Sequence, residues 1–335
     1  MQFKRLKFLV GFLVAIFFIA LSGCQSDSKV PQPRQVDYDL GKYLSSIPRE
    51  FPEQREYHAS DGSLQAFTGY RRGGKQRIAL IYLHGLEGHA GWGRAFAEKL
   101  VERDYDVFAL DRRGSGFSSK GSRKVNGRPV QFEDYVSDVH AFLKPLKAYY
   151  SSVYLVGYDW GARLALAYGI AYKGHSKGLV LISPRLMKPG VSLTQKVKSV
   201  AGISAVTERD VAAEFDPELH VTSKEIQAAL AQDNTRIKEL DENFLTQSMR
   251  MGDFIKTYIK RVGQPVQLFL ARPDSLVDDK KTIALLEKGS QPSLDIQIVE
   301  GSKHALQIEA PERLARDIHH WIRYQELSRS GGQVD

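Results

Sequence analysis

The sequence is poor in residues that build disulfides or metal sites. Its 335 residues include one cysteine, Cys24, and nine histidines. A single cysteine cannot form an intramolecular disulfide or supply the thiolate set of a structural zinc site. The adjacent pair His319 and His320 would point about 100° apart on a helix, which argues against a shared metal. The sequence therefore predicts no metal and implies no other cofactor.

Charge of one sign and long apolar runs are also scarce. The formal net charge is +8, and it falls to +5 without Lys4, Arg5 and Lys7, which precede Cys24 without any acid. No basic stripe with interleaved aromatic residues is present, so we expect no nucleic-acid partner. The long apolar run, Phe8 to Leu21, is shorter than the ~20 residues that span a bilayer.

The N-terminal segment is typical of a secretory signal peptide, with a basic start, an apolar run and small residues before Cys24. The string Leu21 to Cys24 resembles the bacterial lipobox, in which the cysteine sulfur is lipidated and the cysteine becomes the mature N-terminus. The resemblance implies a signal peptide over 1–23 and a lipidated Cys24 with a polar tether over 24–50. By resemblance to Gram-negative lipoproteins, Gln25 after the cysteine favours the outer membrane, facing the periplasm. The alternative is an uncleaved anchor with an accidental cysteine.

The rest of the chain alternates short apolar runs with amphipathic helical segments. An Asp-Gly turn at Ser60 to Ser63 predicts a hairpin. Buried strands are predicted over 78–83, 107–110, 153–156, 179–182, 266–271 and 296–299. Such alternation predicts a mostly parallel sheet with helices on both faces, an α/β domain over 51–330. Residues 184–261, here called the insertion, contain no strand-like run and are predicted to form a helical lid.

One strand leads directly into a motif that contains a candidate catalytic residue. Gly157-Tyr158-Asp159-Trp160-Gly161 lies between a strand and a helix, and its glycines permit the sharp turn that lifts the central side chain above the sheet. His84-Gly85-Leu86 ends an earlier strand, so the backbone N–H groups of Leu86 and Trp160 can form an oxyanion hole. Asp274 and His304 each follow a later strand. Their order after Asp159 is nucleophile, acid and base, as in α/β-hydrolases.

Three segments resemble the monoacylglycerol lipase and lysophospholipase branch of the α/β-hydrolases, which is grouped with serine-aminopeptidase-like enzymes. They are His84 to Gly88, Asp111 to Ser118 and His304 to Glu309. The resemblance implies the α/β-hydrolase fold and cleavage of a single-chain lipid ester by a Ser-His-Asp triad. Carried over by position, the triad is Asp159, His304 and Asp274. The sequence departs from the family pattern at Asp159, because the family has serine at that position.

Three functions follow from this departure. The first is an envelope-anchored hydrolase of a carboxylic ester of a lipid-like substrate. Carboxylate attack on an ester would mostly revert, however, because a group with a pKa of ~4 leaves more readily than an alkoxide. The second is an Asp-nucleophile hydrolase of epoxides or alkyl halides, because the segment Gly157 to Gly161 also resembles the nucleophile turn of those enzymes. Against it, the insertion has no tryptophan and only one tyrosine, Tyr258, to assist a leaving group. In the third, the fold persists but ester hydrolysis is weak or absent: either Asp159 acts as a general base, or the protein is a non-catalytic envelope protein that binds a lipid or a partner. The sequence does not predict the oligomeric state.

Overall fold

An eight-stranded sheet organises the chain. The computed structural model describes residues 52–72, 78–118, 124–186, 210–212 and 215–329. The predicted signal, Cys24 and the tether lie outside these ranges. The sheet has the order β1-β2-β4-β3-β7-β8-β11-β12. Its strands are β1 (Glu53–His58), β2 (Leu64–Tyr70), β3 (Ile78–Leu83), β4 (Asp106–Leu110), β7 (Ser152–Tyr158), β8 (Leu179–Ile182), β11 (Val266–Arg272) and β12 (Leu294–Glu300).

The sheet is mostly parallel. The strands β1, β2 and β4 pair antiparallel, and every neighbouring pair from β4 to β12 is parallel. The central strands are buried on both faces because helices cover both. These helices are α1 (Arg94–Val101), α2 (Phe132–Leu146), α3 (Trp160–Ala171), α7 (Asp279–Leu286), α8 (Leu306–Glu309) and α9 (Pro311–Arg329). The predicted α/β-hydrolase architecture is confirmed. None of the described helices is long and apolar enough to cross a membrane.

The insertion contains strands that the sequence analysis did not predict. Its described parts include α4 (Pro217–His220), α5 (Lys224–Gln232), α6 (Glu242–Tyr258) and a 3₁₀ turn (Ile259–Arg261). Two strands, β9 (Asp210–Ala212) and β10 (Glu239–Asp241), pair antiparallel. The expectation of an insertion without strands is therefore wrong. Strands this short are too brief to leave an alternating hydrophobic pattern. A second small hairpin, β5 (Lys124–Val125) with β6 (Arg128–Pro129), lies outside the insertion.

The turn between β7 and α3 sets the position of the site. Asp159 has φ 54° and ψ −113°, a strained conformation for a residue other than glycine. A Cβ on Gly157 would lie 2.4 Å from the carbonyl oxygen of Gly161, and one on Gly161 would lie 2.1 Å from that of Leu83. Both positions therefore require glycine. The turn raises the Asp159 side chain at the C-terminal edge of the sheet, where β8, β11 and β12 also end.

Candidate functional site

The three predicted site residues lie together at the C-terminal edge of the sheet. His304 Nδ1 is 2.7 Å from Asp274 Oδ2, and His304 Nε2 is 3.4 Å from Asp159 Oδ1. Each of the three side chains is at most 1% exposed. The parallel pairing of β11 with β12 brings the loops that carry Asp274 and His304 side by side. The arrangement places a histidine between two buried carboxylates.

The predicted oxyanion donor already has an acceptor. The backbone N–H of Leu86 donates to Asp159 Oδ2 at 2.8 Å. The second predicted donor is the backbone N–H of Trp160, which is the first residue of α3; the indole Nε1 of the same residue donates to Ser248 Oγ of α6 at 3.0 Å. The two carboxylate oxygens of Asp159 are thus divided: Oδ2 is held by the backbone, and Oδ1 faces His304. In this conformation a substrate oxygen has no access to the Leu86 N–H.

Arg185 belongs to the site and was not predicted. It follows the end of β8, and its Nε donates to Asp159 Oδ1 in a short ion pair. Its Nη2 lies 3.2 Å from an oxygen of Glu87, whose side chain is 5% exposed. The signal in the sequence was an arginine just beyond the end of a buried strand, the same kind of position that identified Asp274. The ion pair balances the charge that Asp159 introduces.

The charges of the site shift its pKa values in consistent directions. Burial alone would raise the pKa of Asp159, but Arg185, His304 and the Leu86 N–H together hold it far below its ordinary value. Burial alone would lower the pKa of His304, but the two flanking carboxylates outweigh it and raise that pKa above 6.5. Asp159 is therefore an anion at every physiological pH, and His304 is stabilised as a cation while Asp159 remains charged.

A buried arginine orients the peptide that supplies the Leu86 N–H. Arg112 Nη1 donates to the carbonyl oxygen of Gly85 at 2.9 Å, and this carbonyl and the Leu86 N–H belong to the same peptide unit. The guanidinium lies over the rings of Trp160 and Phe244, at 5.1 Å and 5.3 Å from their centroids. Burial lowers the pKa of Arg112 to about 10. Arg112 thus holds and polarises the donor peptide through its carbonyl.

Polar side chains join the insertion to the loop after β3. Asp233 Oδ2 accepts hydrogen bonds from Trp92 Nε1 at 2.7 Å and from His89 Nε2 at 2.8 Å. Thr235 Oγ1 donates to Asp233 Oδ1 at 2.6 Å. Because His89 and Trp92 belong to the loop after β3, these hydrogen bonds join that loop to the insertion.

Among the described residues, no group of three or more His, Cys, Asp or Glu side chains could hold a metal ion.

Comparison with known proteins identifies the family of this chain. The family described as serine aminopeptidase, S33, matches residues 74–311. The chain belongs to this hydrolase family. Human monoglyceride lipase is 25% identical over 297 residues, which cover 83% of this chain and 94% of that protein. The chain is a lipase- and esterase-like hydrolase by family, and the predicted resemblance is confirmed at that level.

Solved structures share the fold. A soluble variant of monoglyceride lipase from Saccharomyces cerevisiae, in complex with a substrate analog, aligns with a TM-score of 0.70 and 17% identity, covering 84% of this chain and 97% of that one. A haloalkane dehalogenase loop variant from Bradyrhizobium elkanii aligns with a TM-score of 0.55 and 18% identity, covering 83% and 99%. At these identities the likeness concerns the fold alone, and it includes enzymes that act on different substrates.

Proposed function

We propose that this protein is an envelope-anchored hydrolase of a lipid-like substrate in which Asp159 is a carboxylate nucleophile. One observation carries the proposal: Oδ2 of Asp159 is bound by the Leu86 N–H, while Oδ1, which also accepts from Arg185 Nε, faces His304 Nε2 at 3.4 Å. A carboxylate nucleophile needs this division, because one oxygen attacks and the other becomes the carbonyl oxygen of the covalent ester. The lipid-like substrate is inferred from the family and from the monoglyceride lipase relative.

The geometry favours attack at an sp³ carbon over attack at an ester carbonyl. In the first step, Oδ1 displaces a halide or opens an epoxide, and the leaving atom keeps the bonding electron pair; an epoxide oxygen then takes a proton from solvent. An ester substrate would instead need the Leu86 N–H for its own oxyanion, and Asp159 already occupies that donor. We therefore propose an epoxide or an alkyl halide as the reacting group, with the carboxylic ester as the less favoured substrate.

The second step depends on the loss of the negative charge of Asp159 in the first step. Once Asp159 is esterified it is neutral, so one of the two anions that raise the pKa of His304 disappears. His304, still held by Asp274, then becomes able to take a proton from water. The resulting hydroxide attacks Cγ of Asp159, and the oxyanion that forms on Oδ2 is stabilised by the Leu86 N–H. The released alkoxide takes the proton from His304. Asp159, left as a carboxylic acid, gives its proton to solvent, and the carboxylate is restored.

Single-turnover reaction in heavy-oxygen water tests this mechanism. With enzyme in excess over a styrene-type epoxide, we expect one heavy oxygen to enter the Asp159 carboxylate, because water attacks Cγ and not the substrate carbon. Mass spectrometry of the peptide that contains Asp159 measures the label. We expect His304→Ala to accumulate the unlabelled alkyl ester instead. Label in the product diol without label in the peptide would contradict the mechanism and indicate direct attack by water on the substrate.

A non-catalytic binding function is the second candidate, and Arg185 favours it. Its ion pair with Asp159 and Glu87 stabilises the carboxylate that would have to react. If neither wild type nor His304→Ala forms an adduct with an epoxide, an alkyl halide or a monoacylglycerol, while the protein still binds a long-chain lipid by calorimetry, this second candidate is correct.

Anchoring to the envelope through Cys24 is part of the proposal and has its own test. The lipobox resemblance at Leu21 to Cys24 and the single-cysteine composition support it. In a Gram-negative host, we expect the full-length protein to fractionate with the outer membrane and to incorporate labelled palmitate. Cys24→Ser should abolish incorporation of the label, because it removes the sulfur that is acylated. Equal labelling of wild type and the variant would contradict lipidation at Cys24.

A further inference from the structure

A second imidazole, His220, reaches the site from the insertion. It is the last residue of α4 and is 3% exposed. Its ring stands edge-on against the ring of His304, with centroids 5.3 Å apart and an interplanar angle of 88°. No local pattern predicts this position, because no strand end or motif precedes His220.

Contacts on both sides of His304 hold α4 in place. The N–H of Ala305 donates to the carbonyl oxygen of His220 at 2.8 Å. The N–H of Thr222 donates to Glu309 Oε1 at 2.8 Å, and the Lys303 ammonium donates to the carbonyl oxygen of Glu218. The insertion is therefore docked on the loop that carries His304, and the His220 ring is positioned before any substrate arrives.

The hydrogen bonds of His220 determine which nitrogen is free. Nδ1 lies 2.9 Å from the carbonyl oxygen of Asp216, which can only accept, so Nδ1 carries the proton. Burial, with a further contribution from His304, lowers the pKa of His220 to about 4, so the ring is neutral at neutral pH. Nε2 is then a lone-pair acceptor. It is buried and has no hydrogen-bond partner among the residues that the structure describes.

His304 Nε2 is also unsatisfied, although it carries a proton while the His304 ring is a cation. It too is buried without a hydrogen-bond partner in the described part of the chain, since its 3.4 Å approach to Asp159 Oδ1 is only an ion-pair contact. Two rings in contact thus each carry an unsatisfied nitrogen. Leaving buried polar atoms unpaired is costly, and a water molecule that joins two such atoms relieves the cost.

We propose that His220 is a positioning residue that accepts a hydrogen bond from the hydrolytic water and so aligns it between His304 and Asp159. This role rests on the proposed function. During breakdown of the alkyl ester, one O–H of the water points to His220 Nε2 and the other to His304 Nε2, which takes that proton. The oxygen lone pair is then directed at Cγ of Asp159. The proton bonded to His220 stays on the attacking oxygen, is part of the Asp159 carboxylic acid when the alcohol leaves, and is then released to solvent.

Pre-steady-state kinetics with a styrene-type epoxide tests the role. In the detergent-solubilised full-length protein, we expect His220→Phe to form the alkyl ester at the wild-type rate but to break it down about tenfold more slowly, the effect of losing one hydrogen bond to the water. The ester on the Asp159 peptide should accumulate accordingly. His220→Gln, which retains an acceptor, should restore most of the breakdown rate. The matched control is His319→Gln on α9. The His319 ring is hydrogen-bonded to the Tyr105 hydroxyl and is not part of the site.

A crystal structure of the same protein tests the position of the water independently of the reaction. We expect an ordered oxygen within hydrogen-bond distance of both Nε2 atoms in wild type and its loss in His220→Phe. A protein group bonded to either nitrogen in place of that oxygen would overturn the inference. Breakdown at the wild-type rate in His220→Phe would overturn it as well. Failure of the proposed function is recognised separately, because then wild type forms no ester and takes up no label at Asp159.

Discussion

Asp159→Ser is expected to create esterase activity toward a short-chain aryl ester at least about 100-fold above that of wild type, the effect expected when one oxyanion donor becomes available. Serine has no second side-chain oxygen, so the Leu86 N–H becomes free for the oxyanion of the substrate. His304 is already hydrogen-bonded to Asp274 and can act as its base. An acyl-serine also does not revert as readily as an anhydride of Asp159 would. Steady-state kcat/KM with a p-nitrophenyl ester measures the gain.

Two controls make this result interpretable. Asp159→Ala should show no gain, and Asp159→Ser combined with His304→Ala should lose it. Because Asp159→Ser leaves Arg185 with Glu87 alone, the double variant with Arg185→Met covers the case in which the single variant does not fold. If wild type cleaves the ester as fast as Asp159→Ser, the carboxylate does not block acyl transfer, and the preference for sp³ substrates is wrong.

Arg185→Met is expected to lower the free energy of unfolding by about 3 kcal/mol, the lower range for breaking a buried ion pair by removing one partner. The change leaves the Asp159 carboxylate, 1% exposed, without its guanidinium partner. Its remaining contacts are the Leu86 N–H and His304. Urea unfolding followed by circular dichroism measures the loss.

The matched control is Arg94→Met, which breaks an ion pair with Glu98 on the surface of α1. The arginine side chain there is 62% exposed, so we expect a loss below about 1 kcal/mol. Combining Arg185→Met with Asp159→Asn should cost less than the sum of the two single changes, because neither charge is then left unpaired. Additive losses would show that Arg185 does not stabilise the protein through Asp159.

The larger elements of the fold follow from local sequence patterns. The runs 78–83 and 179–182 coincide with β3 and β8, since strands buried on both faces need continuous apolar residues. The strands of the insertion, β9 and β10, could not be predicted, because a strand of three residues is too short to show an alternation of apolar and polar side chains. The positions of Asp159, Asp274 and His304 could be predicted, because each lies within four residues of the end of a strand and the ends of parallel strands meet at one edge.

What the sequence determines by itself is the sharp turn at Asp159, the parallel alternation around it and the serine-to-aspartate departure from the family. These features depend on residues close together in the chain, through the space that glycine leaves and the burial of apolar side chains. Only the tertiary structure decided how the Asp159 carboxylate is held. Leu86, Arg185 and His304 lie on three separate segments, and the strand order brings them to one place. The partners of a buried charge depend on that assembly, so local patterns could place these residues after strands but could not show that all three hold Asp159.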